Sequence, residues 1–153
     1  MGLFNWLKKR KFFSADEERR ILESIKQAEE NSSGEIRVFA ESSCKGQQPL
    51  ERAAAVFNEL GMNKTHGRNA VLVYVASKDH KYAIYGDEGI YKAFGTDFWE
   101  EKVKAFKHYF QSHALAEAIC RVILETGTTL QEKFPSLGEE DKNELPDEIA
   151  FGS

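Results

Sequence analysis

Apolar residues recur along this chain at two periods, and the switches between them lay out its elements. Ile21, Leu22, Ile25 and Ala28 share one face at helical spacing. Ser14 with Glu17 three residues later supplies the start of that helix, a hydroxyl and a carboxylate that satisfy orphan backbone donors. Asn31-Ser32-Ser33-Gly34 supplies its stop, with Gly34 expected at a positive φ. The period then falls to two. Between Glu35 and Glu41, Ile36, Val38 and Ala40 point one way and Arg37 and Phe39 the other, the alternation of a strand. A polar loop ends at Pro49, and Ala53, Val56, Phe57 and Leu60 restore helical spacing up to a stop at Gly61. Asn69 to Ser77 encloses an unbroken apolar run, so this strand is expected to be covered on both faces. After the polar turn Ser77-Lys78-Asp79-His80, Lys81 to Gly86 returns as its antiparallel partner.

Beyond Gly95, Thr96 is the expected N-cap of a helix whose stripe is Trp99, Val103, Phe106 and Phe110. A last helix carries Leu115, Ile119, Val122, Ile123 and Leu130 and ends before Pro135. The first strand, the helix after it and the second strand make a βαβ unit, whose crossover is expected to be right-handed with its strands parallel. The expected fold class is therefore α/β: a small mixed β-sheet, a βαβ unit plus an antiparallel hairpin, of three or four strands between helices on both faces. The chain divides into a basic and aromatic segment over residues 1–13, an α/β domain over 14–135 and an acidic tail over 136–153. The tail is expected to be flexible except where Leu145, Ile149 and Phe151 dock.

Composition narrows the function classes. With 153 residues, 41% of them apolar and 30% charged, the chain is that of one ordinary globular domain. Its longest apolar run, Ala70 to Ala76, is far short of the roughly 20 residues that span a bilayer. Lys8, Lys9, Arg10 and Lys11 follow the apolar start, the reverse of the order in a secretory signal, so no export is expected. Trp6, with Leu7 after it, stands where a myristoylation signal after Gly2 wants Ser or Thr. Cys44 and Cys120 have no paired spacing, which suits reduced cytosol and gives a cytoplasmic expectation. The net charge of −4 and the single basic cluster at 8–11 argue against nucleic acid. That cluster, with Phe4, Trp6, Leu7, Phe12 and Phe13, would give residues 3–13 a weak contact with an anionic membrane surface. A protein partner and the oligomeric state are left open.

Candidate chemistry gathers at one edge of the sheet. A turn centred on Lys78-Asp79 sets Gly86 opposite Val71 and Glu88 opposite Asn69, with Asp87 beside Arg68 and Asn69. Glu35, opening a strand parallel to the second, reaches the same edge. Glu35, Asp87 and Glu88 could thus hold a hard divalent cation, calcium or magnesium, with Gly86 and Gly89 letting backbone carbonyls approach. Arg68 could instead grip a phosphate or carboxylate, with Thr65 and Asn69 of its loop completing a ligand-binding set. Equally open is a structural reading in which Asp87 caps a short following helix and Arg68 pairs with it. His108 and His113 are five apart, the wrong spacing for a helical metal pair, and His66 is a lone loop histidine. No Cys followed by five residues and Arg, no DxDxT and no dimetal His/Asp set occurs. Cys44 lies in a polar loop and is expected to be exposed, but no arginine stands at the distance a thiol phosphatase needs.

Ser33-Gly34-Glu35-Ile36-Arg37-Val38, Leu60-Gly61-Met62 with Thr65, Arg68-Asn69-Ala70-Val71-Leu72-Val73-Tyr74-Val75-Ala76 and Gly86-Asp87-Glu88-Gly89-Ile90 follow one another in the order and spacing of the TPM domain family. The chain resembles that family over roughly residues 13 to 135, as a short variant lacking the flanking signal and hydrophobic segments typical of its members. What the resemblance implies about activity is thin: plant relatives act in photosystem maintenance and have been assigned acid phosphatase activity, and some relatives bind calcium. The expected function is a divalent-cation-binding or partner-binding accessory module, the alternative a weak metal-dependent acid phosphatase using the same edge.

Overall fold

The computed structural model describes residues 12–137 and 148–152, with the backbone alone at Trp99. Its elements are α1 (Ala15–Glu29), β1 (Glu35–Glu41), α2 (Pro49–Glu59), β2 (Ala70–Ala76), β3 (Lys81–Gly86), α3 (Glu88–Phe94), α4 (Asp97–Ser112), α5 (Leu115–Lys133) and β4 (Ala150–Phe151). The sheet runs in the order β3-β2-β1-β4, with β1 parallel to both β2 and β4, and β3 antiparallel to β2. This is the α/β architecture the periodicity predicts. The β2–β3 register pairs Val71 with Gly86 and Ala76 with Lys81, as the turn arithmetic requires. The ladder ends one residue later with the Asp87 N–H donating to Ala70 O. Glu88 therefore begins α3 and does not sit opposite Asn69 in the sheet.

Each face of the sheet carries its own core because strand side chains alternate. Ile36, Val38 and Ala40 of β1 join Val71, Val73 and Val75 of β2 against α1, α4 and α5, through Ile21, Ile25, Phe106, Ile119 and Ile123. Phe39, Leu72 and Tyr74 point the other way and meet Ala53, Val56 and Phe57 of α2. β2 is buried along its whole length, which explains its unbroken apolar run.

Local chemistry sets the element ends. Ser14 accepts from the Glu17 N–H while Glu17 accepts from the Ser14 N–H, the reciprocal cap expected. Gly61, at φ 69°, closes α2 in the left-handed region. Gly34 is a correction. It lies outside the positive-φ positions and is needed for space, since a Cβ there would stand 2.9 Å from Leu130 Cδ1. Thr96 precedes α4 in a helical conformation and makes no side-chain cap. Cys44 is buried, its N–H held by Asp79 Oδ2 at 3.0 Å, against the expected exposure.

Ile149 and Phe151 do dock: Ile149 is buried, and Phe151 packs on Phe12 and Phe13 with ring centroids 5.7 and 6.3 Å away. Leu145, most of the acidic tail and the basic segment through residue 11 lie outside the described residues. Among the described residues, no helix is long and apolar enough to cross a membrane.

Candidate functional site

The expected site lies where β1 and β2 begin and β3 ends. Thr65 starts the loop into β2, and its hydroxyl donates to Asn69 Oδ1 at 3.4 Å while accepting the Asn69 N–H at 3.3 Å. This closed ring of bonds holds a turn in which Arg68 takes φ 49°, a left-handed conformation unusual for a side chain of this size. Asn69 then reaches across to β1's approach, donating through Nδ2 to Ser33 O at 3.2 Å. The Glu35 N–H donates to Asn69 O, which fixes the parallel entry of both strands.

Arg68 projects toward the start of α3. Its Nε and Nη2 donate to Asp87 Oδ2 and Oδ1 at 2.7 and 2.8 Å, a bidentate fork. Nη1 stands 3.4 Å from Glu88 Oε2, and Lys92 Nζ lies 2.9 Å from Glu88 Oε1. Asp87 also accepts from the Glu88 N–H at 2.8 Å, capping α3. The Asp87 hydrogen bonds raise the Arg68 pKa further above its ordinary value. Lys92 first, then Arg68, hold the Glu88 carboxyl below its usual range.

Gly89 makes the close approach possible. Its N–H donates to Arg68 O at 2.8 Å, and a Cβ there would lie 2.3 Å from Gly67 O and 2.6 Å from Arg68 O. The carbonyls of Gly67 and Arg68 thus press directly on the first turn of α3.

The structure brings together Arg68, Asp87 and Glu88 by direct contact, and Thr65 with Asn69 by hydrogen bonds. Glu35 stands at the same edge, buried and paired in register with Ala70. Among the described residues, no three His, Cys, Asp or Glu side chains form a group able to hold a metal ion, so Glu35, Asp87 and Glu88 share an edge without closing a cage. Their donors suit calcium or magnesium, being oxygens only, but a cation would have to draw further ligands from backbone carbonyls and water. The cap and ion pair of the structural reading are both present. Asp87 is buried, whereas Arg68 keeps 44% of its side chain exposed and Glu88 52%.

A second polar cluster escaped the sequence reading. At the opposite end of β1, the Glu41 carboxylate, wholly buried, receives Arg52 Nε and Nη2 at 2.8 and 3.0 Å and the Tyr74 hydroxyl. Burial, and then the Glu41 carboxylate, push the Tyr74 hydroxyl pKa well above its ordinary value. The signal was present, for Glu41 sits two residues after Phe39 and shares its inward phase. Neither cysteine joins a reactive constellation: both are buried, and burial raises the Cys120 thiol pKa, which disfavours a thiolate.

Comparison with known proteins agrees with this geometry. The BA42 protein from the psychrophilic bacterium Bizionia argentinensis, solved by NMR, superposes with a TM-score of 0.83 at 37% identity, over 92% of this chain and 96% of that one. The N-terminal domain of cg2496 from Corynebacterium glutamicum shares the fold, with a TM-score of 0.61 at 14% identity, over 90% of this chain and 79% of that one. No curated protein matches the chain. The model of the TPM domain matches residues 7–129, a span that holds β1, β2, β3 and the whole Arg68–Asp87–Glu88 edge, and the chain belongs to the TPM domain family.

Proposed function

We propose that this chain is a non-catalytic binding module whose edge at residues 65–69 and 86–89 takes a divalent cation, calcium or magnesium. The observation that carries this reading is the place of the Arg68 guanidinium, which stands between the Asp87 and Glu88 carboxylates as an internal cation. A position that favours one positive charge favours another of suitable size. The carbonyl oxygens of Gly67 and Arg68, crowded against Gly89, lie close by and are hard ligands of the kind such ions take. Because Arg68 is half exposed on a turn at positive φ, it is the member that would give way. Binding then costs the Arg68–Asp87 pair, so the module would respond to high ion concentrations and not to traces.

An NMR titration with calcium and with magnesium tests this. The expected result is saturable shifts confined to residues 65–69 and 86–90, stronger binding in Arg68→Ala, where the competing cation is gone, and weaker binding in Glu88→Gln. If neither ion moves those signals in the wild type or in Arg68→Ala, the edge is structural and the reading falls.

The weak metal-dependent phosphatase is the second reading from the same edge. It requires the Arg68 fork to leave Asp87 as well, and in addition a nucleophile or a metal-activated water beside the phosphoryl group, so it asks more of this edge than cation binding does. The binding module is therefore the reading the geometry supports better.

A further inference from the structure

The segment 148–152 meets the sheet as a peptide meets a groove, each residue by a different device. β4 contributes two paired positions beside β1, Ala150 with Phe39 and Phe151 with Ala40, and the Gly152 N–H donates to Ala40 O at 2.9 Å. Two pairs are too few for the ladder alone to hold a strand. The side chains supply the rest.

Glu148 is read by Arg37. This guanidinium is 10% exposed, donates through Nε to the Glu148 carbonyl at 3.4 Å and places Nη2 3.9 Å from its carboxylate. Among the described residues Arg37 has no other ion pair, so with the segment seated its charge is nearly buried and answered by Glu148 alone. Ile149 enters the larger core and Ala150 packs against the smaller one. Phe151 covers Phe12 and Phe13. At Gly152 a Cβ would lie 2.8 Å from Glu41 Cβ, Glu41 Oε1 and Phe39 Cζ. Glu41 cannot yield, because Arg52 and Tyr74 lock it. The position therefore excludes every side chain.

We propose that the outer border of β1, opposite β2, is a peptide-docking groove, filled here by residues 148–152 of the chain itself. It would also accept from a partner protein an extended segment of the same chemistry: acidic, aliphatic, small, aromatic, glycine, laid parallel to β1. Strand addition of this kind draws affinity from main-chain hydrogen bonds and specificity from the side-chain pockets. The charge complementarity at Arg37 and the glycine-only position give this groove both a preferred end and a fixed register. The chain's own segment is covalently attached and competes by proximity, so an outside peptide must displace it.

The test uses the full chain carrying Gly152→Ala, which should unseat the segment, and a synthetic peptide of residues 147–153. Saturable NMR shifts at Phe39, Ala40 and Arg37 are expected. The wild-type chain should bind the same peptide at least tenfold more weakly, and a peptide with alanine at the glycine position should not bind. Phe151→Ala, which removes an aromatic contact without adding bulk at Glu41, provides a second opened chain should Gly152→Ala disturb the fold. Absence of saturable binding to both opened chains, or equal affinity for the glycine and alanine peptides, would overturn the proposal. So would dimerisation of the opened chains without peptide, seen by light scattering, since that would assign the groove to a second copy.

Discussion

Glu41 and Arg52 face each other through two parallel hydrogen bonds of 2.8 and 3.0 Å inside the molecule, one at the last residue of β1 and the other on the first turn of α2. Because Glu41 is wholly buried, removing its partner strands a carboxylate in low dielectric.

Arg52→Ala is therefore expected to destabilise the fold by about 3–5 kcal/mol, the cost of orphaning a buried charge. Removing both partners, as Glu41→Leu with Arg52→Met, should cost clearly less than the single change. Urea unfolding midpoints of the three chains check this. Equal losses in the single and double variants would show that the two residues do not act as a pair.

Gly127→Ala should reverse its usual sign. In an exposed helix interior that change gains about 1 kcal/mol. Here a Cβ would lie 2.6 Å from Ala28 Cβ and 2.9 Å from Ala28 O, so α1 and α5 would be forced apart. A loss of about 1–3 kcal/mol is expected from such overpacking, read as a lower thermal midpoint. An unchanged or raised midpoint would mean the two helices pack less tightly than these distances show.

Ser14→Ala removes the hydroxyl half of the α1 capping box, and a loss of about 1 kcal/mol is expected. Ser14→Asp should largely keep the stability. Chemical denaturation of both variants is sufficient, and equal loss in the two would rule out a capping role for the side chain.

Glu88 gives the pH dependence. Its folded pKa lies below the ordinary glutamate value, so its contribution to stability is fully present above that ordinary value and is lost as pH falls through the lowered one. The carboxyl is exposed, so the effect on global stability is small. A carbon-detected NMR titration should place the Glu88 midpoint below those of unpaired glutamates and return it toward them in Lys92→Ala. A midpoint unmoved by that substitution would remove Lys92 as the main cause.

Much of the architecture was readable from local pattern, and the reasons are visible in particular residues. The Ser14/Glu17 cap, the uninterrupted apolar run of β2 and the Val71–Gly86 register each follow from interactions within one or two neighbouring elements. The contact of Arg68 with Asp87 was also within reach, since the hairpin register alone brings the two positions together. What was missed depends on distant packing. Gly34 looks like a turn residue, yet it lies under Leu130, nearly a hundred positions later, with Asn69 O 3.3 Å from where a Cβ would stand. Cys44 sits in a polar stretch and is buried because Asp79 and the Tyr74 face draw its loop inward. β4 is two residues long and pairs with β1 across more than a hundred residues, so it has no local signature to read.

The packing of α1 on α5 carries a consequence for biosynthesis. Ala28, near the end of the first described long helix, rests against Gly127 in the last, and the Ser33 N–H bonds to Phe134 O just beyond it. A nascent chain emerging from the ribosome can assemble β1, α2, β2 and β3 early, as neighbours in sequence. Its amphipathic first helix can then meet the sheet through Ile21 and Ile25, but its contact with α5 must wait until α5 has left the exit tunnel. The side of α1 that Gly127 and its neighbours cover is thus the last part of this core to close.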